Sequence, residues 1–223
     1  MKTRLFLLFL FRVSTSGYCQ SAPAEKANFE ALRIQLESTY RTDQTLRRKL
    51  DRAQNGCGTH SPQVNALWLE INKTDSINLL QVRAILDKWG WLGANKIGTS
   101  GMETLFAVIQ HSDLATQEQY LPLMREAVKA GNAEWSNLAL LEDRVLISQG
   151  KKQLYGSQLS RDPKTGEKYV SPLANPDQVD KRRAGMGLEP LADYLKQFDL
   201  TWNLKAYKKE LPQLEEKQWG MQK

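Results

Sequence analysis

The segment FAVIQHSD, residues 106–113, places one of the two histidines of the chain directly after an apolar run. An unperturbed imidazole has a pKa near 6.5, so a histidine can act as a general base close to neutral pH. On a helix with about 100° per residue, Phe106 and Ile109 belong to one broad apolar face. His111 falls at the edge of that face, and Asp113 falls within it. His111 is therefore either a functional group in a cleft or a polar residue that binds a carbonyl oxygen near the helix C-terminus.

A second pair of residues that could do chemistry, Asp143 and Arg144, interrupts the apolar pattern of SNLALLEDRVLISQ. Adjacent helical residues point about 100° apart, so these two do not form a surface ion pair with each other. Arg144 is a candidate anion-binding residue. Asp143 is a candidate carboxylate that orients His111 or a ligand hydroxyl. The alternative is a salt-bridged contact between neighbouring helices.

The segment YGSQ, residues 155–158, combines an aromatic ring, a glycine and two hydrogen-bonding side chains. We predict that it lies in the first strand of a β-hairpin, where Gly156 weakens the strand unless another group approaches the backbone closely. Tyr155 offers a stacking face to a small polar ligand, and Ser157 and Gln158 offer hydrogen bonds. The alternative is a β-bulge with Tyr155 packed on the helices.

Cys57 and His60 form a C-x-x-H pattern in a loop. A zinc site needs four protein ligands or three plus water, and His111 is the only other histidine in the chain. A dyad of Cys57 and His111 would need a lowered thiol pKa, which nothing in the sequence indicates. The chain contains no glycine-rich phosphate loop, G-x-S-x-G or H-E-x-x-H motif. We therefore predict no metal site and no cofactor.

The N-terminal residues have the pattern of a secretory signal peptide. A basic start is followed by the apolar block LFLLFLF at residues 5–11 and then by small and polar residues. This block is too short to span a bilayer, which needs about 20 apolar residues. We predict that residues 1–19 are a signal peptide and that the protein is secreted or periplasmic. Cleavage after Ala22 and lipid anchoring through Cys19 are alternatives, the latter disfavoured by the bulky Tyr18 before it.

Composition argues against three classes of protein: nucleic-acid-binding proteins, disulfide scaffolds and integral membrane proteins. The chain has 31 Lys and Arg against 25 Asp and Glu, a net charge of +6. The predicted signal peptide carries three of these basic residues, so the mature chain keeps +3. So small a surplus does not indicate a nucleic-acid partner. Cleavage after Cys19 leaves Cys57 alone, which excludes an internal disulfide, and no other stretch is apolar enough for an integral membrane span.

Hydrophobic periodicity predicts a mainly α-helical protein with one small β-hairpin near residues 152–173. Residues 20–223 would form a single multi-helix domain, because a chain of this length fits one hydrophobic core. We expect a long amphipathic helix from Glu25 to about Gln54. The segment after residue 198 has irregularly spaced aromatic residues, so residues 199–223 are expected to form a tail that is partly ordered or loose.

Three local signals predict where the central helices begin and end. Asp75 is a candidate N-cap that would divide the helical region after residue 62 into two helices. The glycine-rich residues 90–101 are typical of a loop. Thr116 and Gln119 have the spacing of a capping box, so we expect the following helix to begin there.

Several of these motifs together resemble a known protein family. QHSD at residues 110–113, DRV at 143–145 and QLYGSQ at 153–158 are similar, in order and spacing, to the elements of a family of mostly secreted bacterial proteins. This is the domain-of-unknown-function family 6624. The resemblance covers roughly residues 40–197 and implies no known activity.

A further element of that family, D-Q-x-x-R in the first helix, resembles Asp43 and Gln44 followed by Arg47. Ser112 and Ser157 stand where the family pattern has alanine and threonine, and both changes keep side-chain size or the hydroxyl group. Without the resemblance, Asp43 and Arg47 at i,i+4 would be interpreted as a solvated ion pair. The resemblance makes Asp43 and Gln44 candidate ligand-binding residues.

Three hypotheses follow from these residues. The first is a binding protein that holds a small polar or saccharide-like ligand in a cleft around His111. Its candidate ligand-binding residues are Asp43, Gln44, Arg144, Tyr155, Ser157 and Gln158. The second is a hydrolase-type envelope enzyme in which His111 is the general base and Asp113 and Asp143 are further catalytic residues. The third is a structural scaffold in which the polar motifs only hold the helices together.

Overall fold

The computed structural model describes residues 21–58, 61–162 and 165–220, with the backbone alone for residues 21–26. It is mainly helical with one small antiparallel sheet, which confirms the predicted fold class. The predicted signal peptide, with Cys19, lies outside the described residues, as does His60.

Long helices form the first two thirds of the described chain. They are α1 (Ser21–Cys57), α2 (Pro62–Trp89), α3 (Ala94–Gln110), α4 (Leu114–Lys129) and α5 (Trp135–Ser148). The rest of the fold is shorter elements: β1 (Leu159–Arg161), β2 (Lys168–Val170), a 3₁₀ turn (Pro176–Gln178), α6 (Val179–Gly185), α7 (Leu191–Lys196) and α8 (Leu204–Gly220).

Helix α1 packs along both α2 and α3, and α4 packs on α5, so that the main hydrophobic core lies among these five helices. Buried side chains at helical spacing drive this association, because burial of apolar surface is the dominant favourable term in folding. A second core cluster joins the hairpin to α7 and α8, with Leu173 and Leu191 both fully buried in it. In the part of the chain that the structure describes, no helix is both long enough and apolar enough to span a membrane.

The predicted division of the second helical region at Asp75 is wrong, because α2 runs unbroken through this position. Val64, Ile71 and Val82 are all buried on α2, so one apolar face continues on both sides of Asp75. The Asp75 carboxylate does not cap a helix; it accepts two hydrogen bonds from the Arg47 guanidinium, at 2.8 and 3.0 Å. Asp75 therefore ties α2 to α1.

The predicted loop at residues 90–101 is mostly helical, since α3 begins at Ala94. One of these glycines does interrupt the regular helix. Gly98 has φ 72° and ψ 166°, a non-helical conformation that kinks α3. The φ angle lies in the left-handed region, where glycine is favoured over residues with a side chain. A Cβ atom at Gly98 would also lie 3.4 Å from Cδ of Arg33 on α1.

Helix α4 begins earlier than the predicted capping box. Asp113 is its N-cap, and the Asp113 carboxylate accepts a hydrogen bond of 2.7 Å from the backbone N–H of Thr116. Aspartate is among the best N-cap residues, since its oxygen satisfies a free N–H of the first turn. Thr116 is therefore inside the helix, where its N–H group is the one being capped.

The β-hairpin is present but shorter than residues 152–173. Leu159 pairs with Val170 and Arg161 pairs with Lys168 in the antiparallel register, so YGSQ lies just before the first strand. The tail after residue 198 contains the ordered helix α8, which contributes Tyr207 to the second core cluster. The Tyr207 hydroxyl donates to the carbonyl oxygen of Ser171, at 3.0 Å.

Replacing Leu105 by alanine tests the main core. Leu105 is 0% exposed on α3, so Leu105→Ala should lower the free energy of unfolding by about 2–5 kcal/mol through lost burial and a residual cavity. The matched control is Leu80→Ala on α2, since Leu80 is 72% exposed and should change stability by about 0.5 kcal/mol or less. Urea denaturation of both variants measures the difference. Equal decreases in the free energy of unfolding would mean that Leu105 is not part of the hydrophobic core.

Candidate functional site

A cavity of about 400 Å³, here called the His111 cavity, lies between α1, α3, α5, α7 and the segment after α5. Five of the residues that the sequence predicts for a site line it: Gln44, His111, Arg144, Ser157 and Gln158. They come from four separate parts of the chain. The other lining residues are mostly aromatic, apolar or amide side chains: Tyr40, Glu103, Phe106, Ala107, Gln110, Leu140, Leu159, Tyr194 and Phe198.

Helix α3 supplies one complete wall of the cavity. Glu103, Phe106, Ala107, Gln110 and His111 follow one another at spacings of three, one, three and one, which places them on one helix face. Sequence reasoning assigned Phe106 to the core and missed Glu103 and Gln110. The pattern that could have revealed them is helical spacing: Glu103 is three residues before Phe106 and Gln110 is four residues after it, so all three share one helix face.

The segment at residues 153–158, here called the YGSQ loop, is held in place by the Asp143 carboxylate. Oδ1 accepts hydrogen bonds from the backbone N–H groups of Leu154 and Tyr155, at 2.6 and 3.0 Å. Oδ2 accepts from both the backbone N–H and the hydroxyl of Ser157, each at 2.9 Å. Asp143 is 0% exposed and does not line the cavity. It is a positioning residue that sets the cavity wall formed by this loop.

Two opposing effects act on the pKa of Asp143. Burial raises it, while the hydrogen bonds from Ser157, Tyr155 and Leu154 lower it. Burial is the larger effect, so the pKa of Asp143 lies above its ordinary value. The four donors that contact the carboxylate oppose this rise.

The carbonyl oxygens of the YGSQ loop are also bound by side chains. Arg182 donates to the Leu154 carbonyl at 2.7 Å, and Arg183 donates to the Tyr155 carbonyl at 2.8 Å. The Tyr194 hydroxyl donates to the Ser157 carbonyl at 3.0 Å. Two residues of the basic run at 181–183 therefore bind main-chain oxygens.

Gln153 completes the loop, and sequence reasoning did not select it as a site residue. It is fully buried, donates to the carbonyl of Gln158 at 2.9 Å, and accepts from the N–H of Gln158 at 2.8 Å. This mimics a pair of strand hydrogen bonds and fixes the backbone of Gln158. The signal that could have found Gln153 is the family motif itself, in which it is the first residue.

Gly156 allows the tight path of the loop. Its φ of 74° lies in the left-handed region, and a Cβ atom there would lie 3.0 Å from Cδ1 of Leu191. The glycine thus meets the predicted close approach, although the approaching group is a leucine side chain of α7 and the segment is a loop, not a strand. A side chain at residue 156 would push α7 away from the loop.

Arg144 lies in the cavity wall, and no carboxylate of the described residues pairs with it. No hydrogen bond or salt bridge joins its guanidinium to any residue that the structure describes, and its Nε atom is sealed from solvent without a partner. Burial and the nearby charge of Arg47 lower the pKa of Arg144, and Tyr194 opposes this. The predicted salt-bridged contact is therefore not formed by Arg144.

His111 closes α3 with its backbone, and its ring stands between two cavities. It lines the His111 cavity and also a second cavity of about 260 Å³, whose lining includes Asp75 and Asp113. Nδ1 of the ring is sealed from solvent and has no hydrogen-bond partner in the described part of the chain. Burial, followed by the charges of Arg47 and Arg144, lowers the pKa of His111 to about 3. The imidazole is consequently neutral at neutral pH.

The remaining candidate residues lie outside the His111 cavity. Asp113 is an exposed helix cap on the second cavity, and the Thr116 N–H lowers its pKa. Asp43 is only 5% exposed and accepts hydrogen bonds from Arg47 at 2.9 Å and from Gln44 at 3.0 Å. The ion pair of Asp43 and Arg47 is thus buried and joins α1 to Asp75 of α2.

Tyr155 also points away from the cavity. Its ring packs against the main core, and its hydroxyl donates to the Glu142 carboxylate at 3.2 Å. Burial, with the charge of Glu142, raises the pKa of Tyr155 to about 12. The Tyr155 ring therefore packs on the helices, as in the alternative interpretation, and does not offer a stacking face to the cavity. The aromatic side chains that line the cavity are Tyr40, Phe106, Tyr194 and Phe198.

The described part of the chain is mainly helical, and its His111 cavity combines polar and aromatic side chains. The chain belongs to a family of unknown function, DUF6624, whose model matches residues 31–207. This confirms the resemblance identified from the sequence motifs. Comparison with curated proteins and with solved structures gave no match.

Asp143→Asn tests the role of the carboxylate as the anchor of the YGSQ loop. The amide would turn one acceptor oxygen into a donor that faces N–H groups, so the free energy of unfolding should fall by about 2–4 kcal/mol. Chemical denaturation measures the loss. Asp193→Asn is the matched control, because Asp193 forms only an exposed pair with Lys196 and should cost less than about 1 kcal/mol. Equal effects would show that the buried carboxylate does not anchor the loop.

The neutral state of His111 makes a prediction about pH. The folded pKa of about 3 lies below the usual 6.5, so the unfolded chain binds a proton that the folded chain does not. The contribution of this pKa difference to the free energy of unfolding is fully present above pH 6.5 and is lost as the pH falls towards 3. Imidazole NMR signals of the folded protein should show His111 neutral down to about pH 4.

Two comparisons check this prediction. His60→Gln assigns the two histidine signals, and His111→Gln should remove part of the stability loss between about pH 6.5 and pH 4. A His111 signal that titrates near pH 6.5 would contradict a buried ring next to the positive charges of Arg47 and Arg144.

Proposed function

We propose that the protein binds a small polar ligand in the His111 cavity. The observation that carries the proposal is the convergence of Gln44, His111, Arg144 and Gln158, from separate helices and the YGSQ loop, on one cavity. A volume of about 400 Å³ is within the range typical of small-molecule sites. The scaffold hypothesis gives no reason for these side chains to face an open space.

Unused hydrogen-bonding capacity supports the proposal. Buried polar atoms almost always have partners in folded proteins. Around this cavity the Oε1 atom of Gln110, Nδ1 of His111 and Nε of Arg144 have none within the described chain. Phe106 and Phe198 add apolar surface, so the cavity combines a few polar groups with aromatic walls. That combination suits a saccharide-like body or another compact polar molecule.

Binding is preferred to hydrolysis because of the state of the predicted base. A general base works best when its pKa is near the operating pH, whereas the pKa of His111 is lowered to about 3. Asp143, the predicted partner of that base, accepts its hydrogen bonds from the YGSQ loop, and among the described residues no ring nitrogen donates to it. Asp113 is occupied as a helix cap.

Export remains part of the proposal and rests on the N-terminal sequence alone. A basic start, an apolar block at residues 5–11 and a small-residue region support a signal peptide that ends at Cys19. Intact-mass measurement of the exported protein would distinguish cleavage after Cys19 from cleavage after Ala22 and from lipidation of Cys19.

Filling the cavity tests the proposed function. Ala107 lines the cavity on α3, so Ala107→Phe should occupy part of the space without changing any charge. Wild-type protein is screened by saturation-transfer NMR against neutral sugars, sugar acids, amino acids and simple organic acids. We expect at least one class to bind, and its affinity should fall at least about tenfold in Ala107→Phe because the ligand loses its space.

Ala115→Phe is the matched control, since Ala115 is exposed on α4 and lines none of the cavities described above. It should leave the affinity unchanged, and thermal unfolding of both variants verifies that they are folded. A ligand that binds Ala107→Phe as tightly as wild type would lie elsewhere. No binding from any of the four classes would favour the scaffold.

A further inference from the structure

We infer that the ligand of the His111 cavity is an organic anion whose carboxylate or phosphate group binds the guanidinium of Arg144. This inference rests on the proposed function and adds to it the chemical class of the ligand and the place where its charged group binds.

The first argument is a comparison among the arginines near the site. Arg47 is bound by the carboxylates of Asp43 and Asp75. Arg182 and Arg183 each donate to main-chain carbonyl oxygens. Arg144 is the one of these four that has no acceptor among the residues that the structure describes. A half-buried cation without a partner loses hydration and gains nothing in return, so an acceptor is expected from outside the chain.

The second argument is the charge around Arg144. Arg47 is close enough to lower its pKa, and burial lowers it further. The positive charge of Arg47 is already balanced by Asp43 and Asp75, and neutral His111 adds no negative charge. The Arg144 charge is therefore left uncompensated by any nearby carboxylate. An anionic ligand would supply the missing charge and would relieve the repulsion between the two arginines.

The third argument is the direction of the available donors. The terminal nitrogens of Arg144 are neither hydrogen-bonded nor among the sealed atoms, so they are open to a ligand in the cavity. A guanidinium presents parallel N–H donors that match the two oxygens of a carboxylate or phosphate. Nε2 of His111 is likewise open, and a proton on Nε2 makes it a neutral donor beside Arg144.

Glu103 sets the position of the charged group within the cavity. Its carboxylate lines the same space and accepts two hydrogen bonds from Asn137, both at 3.2 Å. It is not among the charges that shift the pKa of Arg144. An oxyanion would be repelled from Glu103 and attracted to Arg144, so the uncharged body of the ligand lies towards Phe106 and Ala107.

The experiment uses acetate and inorganic phosphate as probes of the charged group, in the full-length processed protein. Nε–H of Arg144 and the ring nitrogens of His111 are followed by ¹⁵N NMR while either anion replaces chloride at constant ionic strength. We expect saturable shifts of both side chains, at concentrations up to tens of millimolar. Arg144→Gln should weaken binding at least about tenfold, and Arg144→Lys should retain part of it, because lysine keeps the charge but loses the parallel donors.

Arg48→Gln is the matched control. It removes one positive charge from an exposed position on α1 that does not line the cavity, so the anion affinity should not change. Equal affinity of Arg144→Gln and wild type would overturn the inference. So would shifts in the wild type that match those caused by chloride alone.

A matched pair of sugars separates this inference from the proposed function. Glucuronate and glucose differ by a carboxylate in place of a hydroxymethyl group. Tighter binding of glucuronate, lost in Arg144→Gln, supports the inference. Equal binding of both sugars, lost in Ala107→Phe, would keep the cavity as a binding site and reject the anion. Absence of binding by acetate, phosphate and both sugars would reject the inference, whereas the wider screen decides the proposed function.

Discussion

The buried carboxylate of Asp143 is the interaction on which the site depends. It is 0% exposed, and it accepts hydrogen bonds from Leu154, Tyr155 and Ser157. A loop that carries unpaired N–H groups cannot pack against a hydrophobic core, because each unpaired group costs free energy. The Asp143 carboxylate removes this cost for N–H groups of the YGSQ loop. Carbonyl oxygens of the loop accept hydrogen bonds from Arg182, Arg183 and Tyr194. The loop can therefore form a fixed wall beside α5.

Asp143 and Arg144, two neighbouring residues of α5, have different surroundings. Asp143 and Arg144 are adjacent and point about 100° apart on the helix. Asp143 faces the YGSQ loop and accepts four hydrogen bonds from it. Arg144 faces the cavity and has no acceptor among the residues that the structure describes. The His111 ring lies near Arg144 and is held neutral by burial and positive charge. The proposed anion would therefore bind next to the hydrogen-bonded contact between Asp143 and the YGSQ loop.

Much of the fold was predictable from periodicity, and the errors have physical reasons. Asp75 has the residue type of a cap, but the apolar face of α2 continues through it and a partner on α1 uses its carboxylate. Residues 90–101 have the glycines of a loop, yet only Gly98 inside α3 uses a non-helical conformation. Local propensity lost to tertiary packing in both cases. In the tail after residue 198, for which periodicity gave no clear pattern, α8 is a regular helix whose apolar side is buried against the hairpin.

The sequence alone determined the helical class, the place of the hairpin, the family and the polar residue types, because periodicity and motif spacing are local properties. It also predicted five residues of the cavity wall, among them His111, Arg144 and Gln158. Only the tertiary structure decided the role of each. Asp43 and Asp143 have the same side chain as a catalytic aspartate, but both are buried and accept hydrogen bonds from neighbouring protein groups. Burial and hydrogen-bond partners depend on residues distant in the chain, and no single segment contains that information.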